Sequence, residues 1–222
     1  MAKKMGIGWD KFHFAVLPKD ALPHYSRSNV DLEVETSLGT IEAAGTAYRT
    51  DFDLASHQKH SGQELAVFLP EEKKKIIPHV VEPSLGVDRP FYALLEHCFR
   101  EKAAGKEWEW FAFPPSIAPY TVAVFPLMKK DGLPEIAQGI VESLRHEGIE
   151  CLYSQSGSIG KRYARADEIG VPYCITVDYD TNEKKDATIR FRDDGGQVRL
   201  PISSLAAKIR ECVEAAKTSL KT

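Results

Sequence analysis

The chain is 222 residues long, 43% hydrophobic and 27% charged, with a formal net charge of −3. That apolar fraction suffices for a packed core and excludes a disordered chain; the charge balance excludes a globally basic nucleic-acid binder but not a local basic patch. No run of about 18 apolar residues is present, the N-terminal MAKKMGIGWDKF lacks the apolar core of a signal peptide, and the cysteines (Cys98, Cys151, Cys174, Cys212) form no CxxC pair. The expectation is a soluble cytoplasmic protein of one large or two small domains, with reduced core cysteines and no zinc knuckle or thioredoxin motif.

The first half reads as mostly β. In DLEVET, Leu32 and Val34 alternate with Asp31, Glu33 and Glu35, the period of a half-buried strand. SLG follows as a turn and TIEAAGTAYRT resumes the extended pattern, so the pair predicts a hairpin in an antiparallel sheet. Lys73 to Val81 predicts another short strand. In FYALLEHCF, residues Phe91, Leu94, Leu95, Cys98 and Phe99 recur at helical spacing, with Pro90 placed at the first helical position.

FAFPPSIAP, Phe111 to Pro119, holds three prolines and marks a linker. Residues 1–118 carry 14 basic and 17 acidic side chains and residues 119–222 carry 15 of each, so neither half is a basic tail. Beyond the linker, strands and helices alternate. TVAVFPLM predicts a buried strand, LPEIAQGIVESLRHEG an amphipathic helix that Gly148 can end, IECLYSQ a strand, and SIGKRYARADEIG a helix closed by Gly170. PYCITVDYD, ATIRFRD and QVRLPIS predict three more strands, and Leu205 to Leu220 a closing helix. The order βαβαβββα implies a small α/β domain with a mixed sheet, and the chain as a whole reads as α/β (α+β).

Three constellations have chemical potential. In HVVEPSLGVDRP, Glu82 and Ser84 are two apart on a strand and point the same way, so a carboxylate and a hydroxyl stand side by side, suited to a small ammonium-bearing ligand. Gly86 permits a close backbone approach, and Arg89 lies at a helix N-terminus, where a guanidinium favours phosphate. A strand–turn–helix joint with a surface salt bridge fits the same residues. In TIEAAGTAYRTDFDL, Glu42 shares a face with Tyr48 if the strand is regular, and Arg49, Asp51 and Asp53 alternate; a solvated charged face fits this too, and the Asp-x-Asp pair lacks the companions a metal site needs. In SGSIGKRYARADEIG, Gly157 and Gly160 precede a helix bearing Lys161, Arg162 and Arg165. That grouping suits phosphate-backbone contacts or, equally, an ordinary capped helix with internal ion pairs.

VVEPSLGVDRPFYALLEH resembles motif 3 of class II aminoacyl-tRNA synthetases, in the glycyl-tRNA synthetase version close to V-I-E-P-S-F-G-[IL]-x-R. FAFPPSIAPYTVAVFPL and SGSIGKRYARADEIGVPYCITVDYDT resemble that family's linker and anticodon-binding domain. PHYSRSNVDLEVETSLGTIEAAGTAYRTDFDLASH resembles its segment between motifs 2 and 3. The similarity runs from about Met5 to Leu205, and PHYS, GTAYRTDFDL and PLMKKDGLPE look most like archaeal members. The resemblance implies residues 1–113 as the C-terminal part of a class II catalytic domain, with a partial antiparallel sheet, and residues 114–222 as an anticodon-binding domain with a mixed five-stranded sheet.

It also implies an ATP-dependent ligase of protein biosynthesis: glycine and ATP form glycyl-adenylate, and the glycyl group passes to the terminal adenosine of tRNA-Gly. Carried over by position, Glu82 and Ser84 contact glycine and Glu42 lies near its ammonium. Glu82, Gly86 and Arg89 face ATP, which comes with Mg2+, and Arg89 is the catalytic arginine on its phosphates. Lys161, Arg162, Arg165, Arg190 and Arg192 belong to the tRNA-binding domain. No protein nucleophile and no resident metal are expected, because positioning and electrostatics carry the catalysis. Motif 1, which builds the family's homodimer, and motif 2, with its α-phosphate arginine, are not found in these residues. Gly39-Thr40, Tyr48 and Ala15 stand where the family often has Gly-Trp, Asp and Arg. The chain is therefore expected to be inactive alone, to need an N-terminal fragment or subunit, and to expose an edge and an apolar face of its first sheet. The competing reading is a non-catalytic tRNA- or nucleic-acid-binding paralogue; a third is a structural paralogue with neither activity.

Overall fold

Alternation along three consecutive extended segments builds the first sheet. The computed structural model describes residues 1–102 and 106–219, and the chain divides into two compact units, Gly8–Ala93 and Met1–Ile7 with Leu94–Thr222. In the first, β1 (Phe12–Val16), β2 (Ser28–Thr36) and β3 (Gly39–Thr50) run antiparallel. Gly39, at φ 98°, takes the left-handed conformation that closes the β2–β3 turn without a Cβ clash. Thr50 leaves the strand at φ 53°, and α1 (Phe52–Ser61) begins with Asp51 as its N-cap residue. Asp51 and Asp53 therefore lie in a helix start and do not alternate along a strand.

The segment predicted as one strand from Lys73 to Val81 is two. β4 (Val67–Leu69) pairs with β5 (Lys74–Ile76) in a separate two-stranded ribbon, and β6 (Val80–Ser84) joins the first sheet beside β3. Pro78 stands between them and has no N–H to continue a ladder. Among the described residues this sheet has four strands, in the order β1-β2-β3-β6. Helix α2 (Asp88–Cys98) follows. It starts two residues before the position expected from Pro90, which falls in the first turn, where an intrahelical N–H partner is missing in any case.

A bulge decides which side chains share a face. Leu32 lies opposite Ala44 but Glu33 opposite Glu42, so Ala43 is an extra residue on β3. The slip reverses the alternation. Glu42 joins the face of Asp31, Gly45 and Ala47, opposite to Tyr48, contrary to the regular-strand expectation. Glu82 and Ser84, paired with Ala47 and Gly45, lie on that same polar face. The other face carries Phe14, Val16 and Val81, at 68%, 72% and 61% exposure, along with the buried Leu32 and Val34.

The second unit holds a small ribbon of β7 (Phe99–Arg100) and β8 (Trp110–Phe111), then an α/β domain. Its elements are β9 (Val122–Pro126), α3 (Leu133–His146), β10 (Cys151–Tyr153), α4 (Ile159–Glu168), β11 (Tyr173–Val177), α5 (Tyr179–Lys184), β12 (Asp186–Phe191), β13 (Gln197–Pro201) and α6 (Leu205–Ser219). The mixed five-stranded sheet runs β10-β9-β11-β12-β13, parallel across the first three strands and antiparallel beyond. Val122, Val124, Ile175 and Ile189 pack with Leu133, Ile140 and Leu144 of α3 and Leu205 and Ile209 of α6. The opposite side of the sheet, through Ala123, Phe125 and Cys174, packs with Ala166 of α4. Helices on both faces explain why β9 and β11 are buried at every position and read as continuous apolar runs.

The strand expected through Asp180 stops at Val177. Asp178 caps α5 instead, in a capping box with Thr181, whose backbone N–H donates to the Asp178 carboxylate at 3.3 Å. The closing helix matches its expected course; its expected last residue, Leu220, lies outside the described residues. All four cysteines are free thiols.

Candidate functional site

The polar face of the first sheet is organised by two arginines. Arg49, the extra residue where β3 slips against β6, donates from Nε to Asp53 Oδ2 at 2.5 Å and from Nη2 to Asp53 Oδ1 at 2.8 Å. Its Nη1 donates to Glu82 Oε2 at 2.7 Å. This fork fixes the Glu82 carboxylate on the sheet, and the hydrogen bonds with Asp53 and Glu82 raise the guanidinium pKa. The same Arg49 bond holds the Asp53 carboxyl below its ordinary range. Nothing in the sequence pattern alone separated Arg49 from a solvated charged strand; its partner four residues on lies in α1.

Arg89 lies in the first turn of α2 and donates from Nη1 to the backbone oxygen and to Oε2 of Glu42, at 3.1 and 3.2 Å. The contact spans the turn after β6 and brings the motif-bearing segment against β3. Glu42, Ser84, Gly86, Asp88 and Arg89 line one cavity of about 240 Å³, smaller than the roughly 300–1,000 Å³ of pockets for drug-sized ligands. Glu82 stands on the same sheet face, with Ser84 the next residue on that side. The structure thus brings together all five candidate residues of the first unit. Asp31, paired with Gly45, lies on the same polar face of the sheet.

The cations expected to contact tRNA separate into two groups. Lys161 and Arg165 are exposed. The Lys161 backbone N–H is capped by Ser158 Oγ at 3.4 Å, and Arg165 Nη1 donates to the Ser156 carbonyl at 3.1 Å, folding over the turn at Gly157. Arg162, Arg190 and Arg192 are buried, which corrects the expectation that they face a nucleic acid. Arg162 donates to the carbonyls of Pro126 at 2.5 Å and Leu127 at 3.2 Å, tying α4 to the end of β9; burial lowers its pKa. Arg190 forms a two-pronged pair with the fully buried Asp167, both bonds at 3.0 Å. Trp108 Nε1 also donates to Asp167, at 3.2 Å, and Arg192 donates to the Gly170 carbonyl at 2.8 Å. Neighbours on a helix point about 100° apart, so Lys161 faces out while Arg162 faces in.

Among the described residues no group of three or more His, Cys, Asp or Glu side chains is arranged to hold a metal, and no helix is long and apolar enough to cross a membrane.

Comparison with known proteins gives this geometry its context. Residues 121–212 match the family described as Anticodon binding domain, so the second unit carries that module. Over almost its whole length the chain is similar to glycine–tRNA ligases. It is 40% identical over 215 residues to that of Treponema denticola, covering 94% of this chain and 48% of the relative. The Ruminiclostridium cellulolyticum protein is 45% identical over 191 residues, covering 85% of this chain and 41% of the relative. The archaeal Methanocaldococcus jannaschii protein is 34% identical over 287 residues, covering 93% and 49%. The chain is thus similar over almost its whole length to one part of these glycine–tRNA ligases, and it spans about half the length of the curated relatives it matches.

Proposed function

We propose that this chain supplies the motif 3 part of the catalytic domain, residues 1–113, and the anticodon-binding domain, residues 114–222, of a cytoplasmic class II glycine–tRNA ligase. The observation that carries the reading is the convergence of Glu42, Ser84, Gly86 and Arg89 on one small cavity, beside a Glu82 held by Arg49. A glycine would place its ammonium among the carboxylates and meet Ser84 and Glu82. Arg89, at the N-terminal end of an eleven-residue helix, would turn from Glu42 to the nucleotide's phosphates, where the helix dipole also favours negative charge.

In the proposed reaction a glycine carboxylate oxygen attacks the α-phosphorus of ATP. The bond to pyrophosphate breaks and glycyl-adenylate forms. A hydroxyl of the terminal adenosine of tRNA-Gly then attacks the glycyl carbonyl carbon, and AMP leaves. The residues of this chain act by binding and by neutralising charge; none becomes covalently attached. Mg2+ would arrive on the phosphates of ATP and would neutralise part of their charge.

An N-terminal polypeptide bearing motifs 1 and 2 would complete the pocket and the homodimer, and this chain alone would be inactive. In the second unit, Lys161 and Arg165 would lie on the face presented to tRNA. The test is filter binding of the chain to tRNA-Gly and to an anticodon-altered tRNA across salt, followed by mixing with the N-terminal half of a relative. Anticodon-dependent binding and restored aminoacylation are expected. Neutralising Lys161 and Arg165 should reduce the salt slope by about one each. Anticodon-dependent binding with no ATP or glycine binding and no restored activity would replace the ligase reading with the non-catalytic tRNA-binding paralogue.

A further inference from the structure

The small ribbon of the second unit gathers aromatic rings. Phe99 of β7 and Phe111 of β8 are directly paired, so they project to the same face, and their ring centroids are 5.8 Å apart. With Trp108 and Trp110 they line a cavity of about 370 Å³, inside the roughly 300–1,000 Å³ of small-molecule sites. Trp108 is pinned in place, because its Nε1 donates to the fully buried Asp167 at 3.2 Å. Among the described residues no cation and no second ring stands against its indole. Trp110 differs. Lys106 Nζ lies 3.6 Å from its ring centre, and that ammonium also pairs with Asp167 at 3.4 Å. The fold therefore uses one indole for an ammonium of its own and leaves the other without one.

The remaining lining is acidic. Carboxylate and indole alternate along Glu107, Trp108, Glu109 and Trp110, and Glu168, the last residue of α4, joins them. The negative end of that helix adds to the Glu168 charge. All three carboxylates are exposed, and among the described residues none has a cationic partner. Lys102 is the one cation in the lining, so three negative charges face one positive charge. That balance repels phosphate groups and attracts cations. The rings decide which cation. A hydrated metal ion gains from the carboxylates and nothing from four aromatic side chains. A single ammonium head answers only part of three carboxylates. Methylene segments punctuated by ammonium groups answer both, since the methylenes bury against rings and each ammonium can meet a π-face or a carboxylate.

We propose that this cavity binds an aliphatic polyamine, with its methylene segments against Phe99, Phe111 and Trp108 and its ammonium groups on Glu107, Glu109 and Glu168. None of these residues takes part in the ligation proposed above, so the site is tested without reference to glycine or ATP.

The experiment is calorimetric titration of the full chain with spermidine at fixed ionic strength. Saturable binding of one equivalent is expected. Glu109→Gln combined with Glu168→Gln should weaken it by about fivefold, the loss of two exposed charge contacts. Both side chains are exposed and unpaired, so the fold tolerates the change. Glu71→Gln combined with Glu183→Gln removes the same charge outside the cavity lining and should leave binding unchanged. Lys102→Met should tighten binding by about twofold. Two triply charged probes separate the sources of attraction. Hexaamminecobalt(III) has no methylenes to lay on the rings and should bind at least about threefold more weakly than spermidine. An acetylated trilysine amide stands for a basic protein segment and should also bind more weakly. Equal losses in the two glutamate pairs, or hexaamminecobalt binding as tightly as spermidine, would reduce the site to general attraction of cations and overturn the proposal. Tighter binding of the trilysine peptide would assign the cavity to a protein partner instead, and no saturable binding of spermidine by the wild-type chain would remove it altogether.

Discussion

Two strands of equal length show how differently the two units are built. Every residue of β9, Val122–Pro126, is buried, while four of the five residues of β6, Val80–Ser84, are exposed. The α/β unit covers both faces of its sheet with helices and closes its charges on themselves, as in the Arg190–Asp167 pair. The first unit leaves Phe14 and Val16 exposed on one face and, among the described residues, Asp31 without a cationic partner on the other. The comparison separates a module whose stability is internal from a sheet that leaves Glu42 and Glu82 exposed on one face and Phe14 and Val16 exposed on the other.

The largest test of that contrast is the buried ion pair. Asp167→Ala leaves Arg190 and Trp108 without their common acceptor in a dry site, and roughly 3–5 kcal/mol of stability should be lost, read as a shift of the urea transition of the α/β unit. A loss below about 1 kcal/mol would mean the unit does not depend on its closed charge network. Next comes truncation of matched apolar side chains. Ile175, fully buried, should lose about 2–5 kcal/mol as alanine, whereas Val16→Ala at 72% exposure should stay within about 0.5 kcal/mol. Comparable losses at both would show that the first sheet's apolar face is covered in solution. Sedimentation velocity sharpens the point: the chain should associate with rising concentration, and Phe14→Ser with Val16→Thr should reduce that association. A clean monomer at all concentrations would remove the open-face argument.

Much of this was legible in the residues, for reasons that can be named. The alternation of buried strands with amphipathic helices after Pro119 reflects a sheet covered on both faces, which writes itself as apolar runs. EPSLGVDR could be read as one group because Glu82, Ser84, Gly86 and Arg89 are close in sequence. Asp31 could not, because its partnership with Glu42 depends on the extra residue Ala43 in a distant part of the hairpin, and a one-residue slip reverses a face. Arg162, Arg190 and Arg192 read as surface cations because charge counting ignores helix phase and strand direction. The helical spacing of Arg162 with Ile159 and Ala166, all on the core-facing side of α4, was the available signal. The short α5 was hidden in an apparent strand, though Asp178 and Thr181 three residues apart are a capping signature.

The finest difference between the units is the sign of their response to pH. Asp178 is held below its ordinary range chiefly by its hydrogen bond to Arg199, so between that lowered value and about 3.9 the unfolded chain binds more protons than the folded one. Its contribution is present above about pH 3.9 and is lost as pH falls through the folded pKa. Asp31 is raised by burial and then by Glu42 and Glu33, so the folded chain binds the extra proton between about 3.9 and its raised value, and stability falls as pH rises through that window. Asp178→Asn should therefore lower the melting temperature at pH 7, and Asp31→Asn should raise it, each by about one to three degrees. Both differences should fade on acidification, as the carboxylates they replace become neutral in both states. Melting curves followed by circular dichroism at pH 7 and at successively lower pH decide this. Shifts of the same sign at pH 7 would mean that the two carboxylates are compensated alike, and the distinction between a closed module and an open site would lose its electrostatic basis. Opposite shifts would place the cost of a carboxylate with no cationic partner among the described residues in the first unit.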